Sequence, residues 1–285
     1  IRAAAKNFRH CLCVPGAEYY PELLELLAES SSISEADRRR FAGYAFRRSA
    51  AYDTAIRDWT TQRTDTTVLR YGENPQQRAH FAGNLEGCFQ QLNGKPLSYN
   101  NLIDIEGALR LLADLPKNAC GVFKHTNPCG IAVREHPLES WQAALACDPV
   151  SAFGGIIITN QTVDKAAAEA IHAHFYEILI APNFDTEALE LLKSKSKRII
   201  LQYQAHTLPA QVHKTVLNGT LVQDADRGLT PIADYEVVTD SKPTDGELAE
   251  YNFAELCVKH LKSNAIAIVN HHQMIGAGVG QTSRI

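Results

Sequence analysis

Methionine is almost missing from this chain: Met274 is the only one in 285 residues, and Ile1 stands where an initiator would be. That absence reads as a segment of a longer protein. Cysteine occurs seven times but never as a C-x-x-C pair. Cys11, Cys13, Cys88, Cys120, Cys129, Cys147 and Cys257 are odd in number and scattered, which argues for reduced thiols in a reducing compartment, the cytoplasm by default. The longest apolar runs fall short of the ~20 residues that cross a bilayer, and no charged-then-apolar leader opens the chain, so neither a membrane span nor secretion is indicated. Positive charge is not in excess: Lys and Arg number 28 against 32 Asp and Glu, a net charge of -4, which excludes a basic nucleic-acid binder. No internal repeat or low-complexity segment stands out. What is plentiful is apolar side chain, 45% of residues, ample for a sizeable core in one or two domains.

The first region reads as mainly helical after a short strand, Cys11-Leu12-Cys13-Val14. Pro21-Glu22 opens an apolar-periodic helix, and Ser34, with Asp37 three residues on, caps a second that runs to about Trp59. Arg38, Arg39, Arg40, Arg47 and Arg48 look like a nucleotide patch, but a solvated helix face is the commoner outcome and they are given no ligand role. Thr60 to Asp65 carries no apolar residue and reads as a polar linker, with a domain boundary near residue 65. From Arg70 onward strands and helices alternate. Helices are expected over 102–115, 138–147 and 163–174, and strands over 121–123, 155–159, 177–180, 198–202, 219–223 and 265–269. Such alternation predicts an α/β domain with a substantially parallel sheet.

The stretch Lys124-His125-Thr126-Asn127-Pro128-Cys129-Gly130 carries the most chemistry. Ala119 to Phe123 is a short apolar run, the signature of a buried strand, so Lys124 and His125 fall at its carboxyl end, before a turn expected at Asn-Pro and Gly. An imidazole and an ammonium can serve there as acid, base or anion clamp. Alone, two surface residues beside a turn would be the commoner outcome. Three further segments have the same character. Leu69 to Gln77 sets Arg70 and Tyr71 before a Gly and an Asn-Pro turn; Asp148 to Gly155 puts glycines ahead of a strand; Ser263-Asn264 leads through a strand to the glycine-rich end at Arg284.

Six ordered strings together carry a family resemblance: Arg70-Tyr71-Gly72-Glu73-Asn74-Pro75, Gly94-Lys95-Pro96-Leu97-Ser98-Tyr99-Asn100-Asn101, the Lys-His turn, Ser151-Ala152-Phe153-Gly154-Gly155, Ile180-Ala181-Pro182 and Gly278-Val279-Gly280-Gln281-Thr282-Ser283-Arg284. The chain resembles the bifunctional purine enzymes that join AICAR transformylase to IMP cyclohydrolase, over essentially its whole length. The resemblance implies that residues 1–65 are the C-terminal remnant of a methylglyoxal-synthase-like cyclohydrolase domain plus a helical linker. It makes residues 66–285 the first half of a transformylase domain of cytidine-deaminase-like α/β fold, with the remaining parts lying before Ile1 and after Ile285. The implied reaction is formyl transfer from 10-formyltetrahydrofolate, a co-substrate, to AICAR, with no metal.

Residue by residue, the resemblance makes His125 the base at the 5-amino group, Lys124 the group that meets the oxyanion or the leaving folate nitrogen, and Asn264 a third member of the reaction centre. It makes Arg70, Tyr71, Gly154 and Arg284 nucleotide contacts, and Glu177 a partner of ribose hydroxyls. Surface ion pairing is the plain alternative for the arginines, and a strand-edge carboxylate for Glu177. Lys6 matches a lysine of the cyclohydrolase site whose supporting residues would precede Ile1; a helix-surface lysine is the simpler reading. A homodimer is implied. One departure bears on chemistry: Gln76 stands where the family usually has histidine, and glutamine cannot exchange protons near neutrality.

Two other functions remain. One is a different folate-dependent or deaminase-like nucleotide enzyme on the same fold; its zinc form is disfavoured, because it needs H-x-E and P-C-x-x-C and Pro128-Cys129 is followed by Gly130-Ile131-Ala132, without the second cysteine. A catalytically inactive nucleotide-binding or dimerisation segment is the non-enzymatic alternative.

Overall fold

The computed structural model describes residues 1–60, 66–204 and 208–283. It divides into two compact units, Ile1–Thr66 and Thr67–Ile285. Most of the polar stretch expected as a linker, and Arg284, lie outside the described residues.

The first unit is built from α1 (Arg2–Lys6), α2 (Tyr20–Glu29) and α3 (Glu35–Thr60). The Ser34 hydroxyl accepts the Asp37 amide at 3.1 Å, the N-cap bond the sequence pattern called for. Small residues Ala5, Ala42 and Ala45 pack with Cys13 and let the helices approach closely. No strand forms at Cys11–Val14, because extended backbone becomes a strand only with a ladder partner and this unit presents none up to Thr60. The arginines of α3 are largely engaged within the unit. Arg38 bonds the carbonyls of Phe8 and Arg9 at 2.9 Å, Arg40 pairs with Glu22 at 2.8 Å, and Arg48 pairs with Glu18 at 2.8 Å.

The second unit runs β1 (Thr66–Val68), β2 (His80–Ala82), β3 (Phe89–Asn93), α4 (Tyr99–Asp114), β4 (Ala119–Lys124), β5 (Asn127–Val133), α5 (Pro137–Cys147), β6 (Ile156–Thr159), β7 (Thr162–Val163), α6 (Lys165–Ala173), β8 (Ile178–Ala181), β9 (Asn183–Phe184), α7 (Thr186–Lys193), β10 (Ile199–Tyr203), β11 (Gln211–Val216), β12 (Gly219–Asp224), α8 (Asp245–Lys259), β13 (Ile266–Asn270) and β14 (Gln273–Gly278). Its centre is an eight-stranded sheet of order β13-β14-β5-β4-β6-β8-β10-β3. The sheet is mixed. β6, β8 and β10 run parallel, whereas β3, β4, β5, β13 and β14 join through antiparallel pairings, so the expected parallel character is confined to three strands.

Alternation of side chains along the strands divides the core into two layers. Ile156, Ile158, Ile178 and Ile180 face α4 and α8 through Ile105, Leu109, Leu112, Phe253 and Leu256. Ile157, Leu179 and Ile200 face α5, α6 and α7 through Trp141, Ala144, Ile171 and Leu192. Buried residues at every position of β6 and β8, all apolar but Thr159, are therefore what a strand covered on both faces requires.

A repeat that the sequence does not advertise appears in the structure. Ser98 caps α4 and Thr244 caps α8, each with a capping box completed three residues on by Asn101 and Glu247. Each helix leads into a hairpin, β4–β5 or β13–β14. Ser98 and Thr244, Asp104 and Glu250, His125 and His271 all stand the same 146 positions apart, the separation that also divides the contacting pair Asp114 and His260. At that offset Leu102 and Leu248, Asn118 and Asn264, His125 and His271, and Gly130 and Gly276 are identical, while most other side chains differ.

Candidate active site

The β4–β5 hairpin brings the Lys-His pair forward. The turn is made by His125 and Thr126 themselves, with φ of 53° and 64°, while Asn127 to Gly130 belong to β5. This corrects the expected Asn-Pro turn: two residues with φ above zero match the right-handed twist of a tight hairpin, and Pro128 fits inside β5 beside an irregularity in register at Val122/Phe123. Lys124 ends β4, half-buried, and its Nζ donates to the Phe153 carbonyl at 2.7 Å. His125 is exposed at the tip.

Beside Phe153, Gly154 has φ +74°, open to glycine, and its amide donates to the Phe175 carbonyl at 2.8 Å. Gly155 is held by space: an added Cβ would come 2.7 Å from the Phe123 carbonyl oxygen. The same loop begins at Asp148, whose carboxyl is held below the usual range chiefly by bonds from Ser151, with Lys124 adding its charge. Cys129, on the strand behind, has its thiol pushed up to about 12 by burial, which removes it as a thiolate nucleophile.

Arg70 and Tyr71 form a pair. The guanidinium lies 4.7 Å from the Tyr71 ring centre and donates from Nη2 to the phenol oxygen at 2.9 Å. Their backbone is stitched to the start of α4, Arg70 N to Leu97 O at 3.1 Å and Tyr99 N to Tyr71 O at 3.2 Å, while Asn100 Nδ2 reaches Glu73 O at 3.0 Å. Gln76 is exposed in the turn closed by Gln77 N to Asn74 O at 3.0 Å. From the adjoining string, Lys95 Nζ meets Glu177 Oε1 at 2.8 Å, both side chains half-buried. Asn264 donates from Nδ2 to Gln281 O at 3.1 Å, and two residues earlier Lys262 N donates to Asn127 Oδ1 at 2.9 Å, which brings this segment to the side of the hairpin.

Asp104, one turn and a half into α4, ties these parts together. Its Oδ1 accepts the Thr126 amide at 2.7 Å. Burial raises its carboxyl above the ordinary carboxylate range; the Thr126 bond and the His125 charge oppose that rise, and Glu177 adds to it. His125 and Glu177 are thus each within electrostatic reach of Asp104. Asp104 and Lys95 received no role from the sequence. A signal for Asp104 existed in its place six residues past the Ser98 cap, on the helix flank that meets the next hairpin.

Four of the six strings, those around Arg70, Lys95, Lys124 and Gly154, are therefore joined by hydrogen bonds and ion pairs around one hairpin, with Asn264 at its flank. A mixed-sheet α/β unit that presents a cationic hairpin among an arginine-tyrosine pair and two carboxylates has the makings of a site for an anionic, hydroxyl-bearing small molecule. The chain matches the family described as the AICARFT/IMPCHase bienzyme over residues 4–285, and it belongs to that family. It is 44% identical over 295 residues to the bifunctional purine biosynthesis protein PurH of Bacteroides thetaiotaomicron, covering all of this chain and 58% of that protein. To the proteins of the same description from Desulfitobacterium hafniense and Clostridium acetobutylicum it is 39% identical, over 315 and 302 residues, covering 61% and 60% of them. The chain spans about three-fifths of the length of these relatives. Among the described residues no helix is long and apolar enough to cross a membrane.

Proposed function

We propose that this chain is part of a cytoplasmic, homodimeric purine-biosynthesis enzyme that formylates AICAR from 10-formyltetrahydrofolate, the full-length protein also closing the product ring as IMP cyclohydrolase. Residues 1–65 are the end of the methylglyoxal-synthase-like cyclohydrolase domain with its helical linker, and residues 66–285 the first half of a cytidine-deaminase-like transformylase domain. The observation that carries the reading is the convergence of the Arg70, Lys95, Lys124 and Gly154 strings on one hairpin, in a chain of this family.

The 5-amino group of AICAR is a weak nucleophile because its lone pair is delocalised. The His125 imidazole takes its proton as nitrogen attacks the formyl carbon. The new N–C bond creates an oxyanion that the Lys124 ammonium stabilises; the bond from carbon to the folate nitrogen then breaks, and that nitrogen takes a proton from Lys124. Asn264 orients the reacting groups. Arg70 and Arg284 bind the phosphate, Tyr71 and Gly154 line the nucleotide, and Glu177, held by Lys95, accepts from ribose hydroxyls. None of these steps calls for a metal.

Calorimetric titration of AICAR into this chain tests the reading, with Lys124→Ala and Arg70→Ala beside it. Binding weakened by about tenfold or more in both variants supports it, the order expected for loss of a charge-assisted hydrogen bond. Affinity indifferent to both substitutions would sink it.

A further inference from the structure

We propose that Asp104 is the positioning residue of the formyl-transfer site: its carboxylate holds the His125–Thr126 turn in the one conformation that presents Lys124 and His125 together. The inference rests on the functional reading above and assigns a role to a residue outside the six strings.

The need for such a residue follows from the turn. His125 and Thr126 both have positive φ, 53° and 64°. Glycine or asparagine adopts that conformation readily, whereas a β-branched threonine is strained in it. Something outside the hairpin must hold the backbone there, and the Asp104 bond to the Thr126 amide, 2.7 Å long, does so from the rigid flank of α4. Helix and turn are in close approach at this point, since a Cβ built on Gly107 would lie 3.8 Å from the Thr126 carbonyl oxygen. Asn127 braces the other side, donating from Nδ2 to His125 O at 2.8 Å. With the turn fixed, Lys124 keeps its bond to Phe153 O and His125 stays within electrostatic reach of the Asp104 carboxylate.

The repeated unit supplies an internal comparison. In the second hairpin His271 and His272 have φ of 50° and 51°, and Glu250, the counterpart of Asp104, accepts the His272 amide at 3.1 and 3.2 Å. The device is the same, but the residue in the place of Lys124 is Asn270. The first copy alone couples a held turn to a Lys-His pair.

The test measures AICAR affinity by calorimetry and Thr126 amide exchange by NMR in the 285-residue chain. Asp104→Ala is expected to lose Thr126 protection and to bind AICAR about tenfold more weakly. Asp104→Asn keeps an acceptor oxygen in place and is expected to restore both, a rescue that rules out general unfolding as the cause. Glu250→Ala should release the His272 amide and leave AICAR affinity unchanged, separating this turn from a loosened hairpin elsewhere. If wild type binds AICAR and Asp104→Ala binds it equally well, or if Thr126 stays protected in Asp104→Ala, the inference is overturned. If wild type itself fails to bind AICAR, the functional reading falls and the role in transfer with it, while loss of Thr126 protection still identifies what holds the turn.

Discussion

His260, which closes α8, donates from Nε2 to Oδ2 of Asp114, the last residue of α4, across 2.7 Å. The two occupy equivalent positions of the repeated helix–hairpin unit, so the bond joins the two copies where their helices end. Lys259 reaches the same carboxylate at 3.0 Å and the Asp226 carboxylate at 3.7 Å.

Burial lowers the His260 imidazole below its ordinary range, more strongly than Asp114 raises it, with Lys259 lowering it further. An imidazole that protonates less readily folded than unfolded contributes stability at pH values above the unfolded value, near 6.5. That contribution is lost as pH falls from there toward the folded value. Asp104, whose carboxyl is raised, acts with opposite sign but only nearer the carboxylate range. Thermal melts at pH 7.5 and 5.5 should therefore show a loss on acidification that is smaller in His260→Gln. Equal losses in the two proteins would contradict the assignment.

Gly130 sits in β5 against α5, where an added Cβ would come 1.9 Å from the Ala144 carbonyl oxygen. Backbone, not a flexible side-chain end, stands in the way. Gly130→Ala should destabilise by roughly 2–3 kcal/mol, read as a lower urea midpoint. An unchanged midpoint would mean that the strand and helix separate without cost.

The two capping boxes predict matched losses. Ser98→Ala and Thr244→Ala each remove the hydroxyl that accepts an N3 amide, from Asn101 and from Glu247. Each should cost about 1 kcal/mol in denaturant unfolding, more at Ser98, which is 1% exposed, than at exposed Thr244. Equal stability of Ser98→Ala and the parent would show that the α4 start is held by other bonds.

Cys120 and Cys257 are buried, with thiols pushed up to about 12 chiefly by desolvation. Alkylation at pH 8 should leave both unmodified in the native chain and label both in denaturant, as mass mapping would reveal. Rapid native labelling of either would place it outside the core.

Element type was legible where pattern and cap agreed: the Ser34 cap opened α3, and the unbroken apolar run from Ile156 to Ile158 became a doubly covered strand. Cys11 to Val14 failed because strand formation depends on a partner that local sequence does not contain. The turn at His125–Thr126 was misplaced because Asn-Pro and Gly are the usual turn residues, and here hairpin register and an outside carboxylate overrode that preference. α7 and α8 went unread although Thr244-Asp245-Gly246-Glu247 spells a capping box before α8.

By itself the sequence determined the family, through six ordered strings whose residue types chemistry restricts, and the α/β character, through periodicities that act over a few residues. Only the tertiary structure decided which strands run antiparallel, that α4–β4–β5 and α8–β13–β14 repeat one another, and that Asp104, Lys95 and Glu177 gather at the Lys124 hairpin. Those features depend on contacts between residues far apart in the chain, which no short stretch of sequence contains.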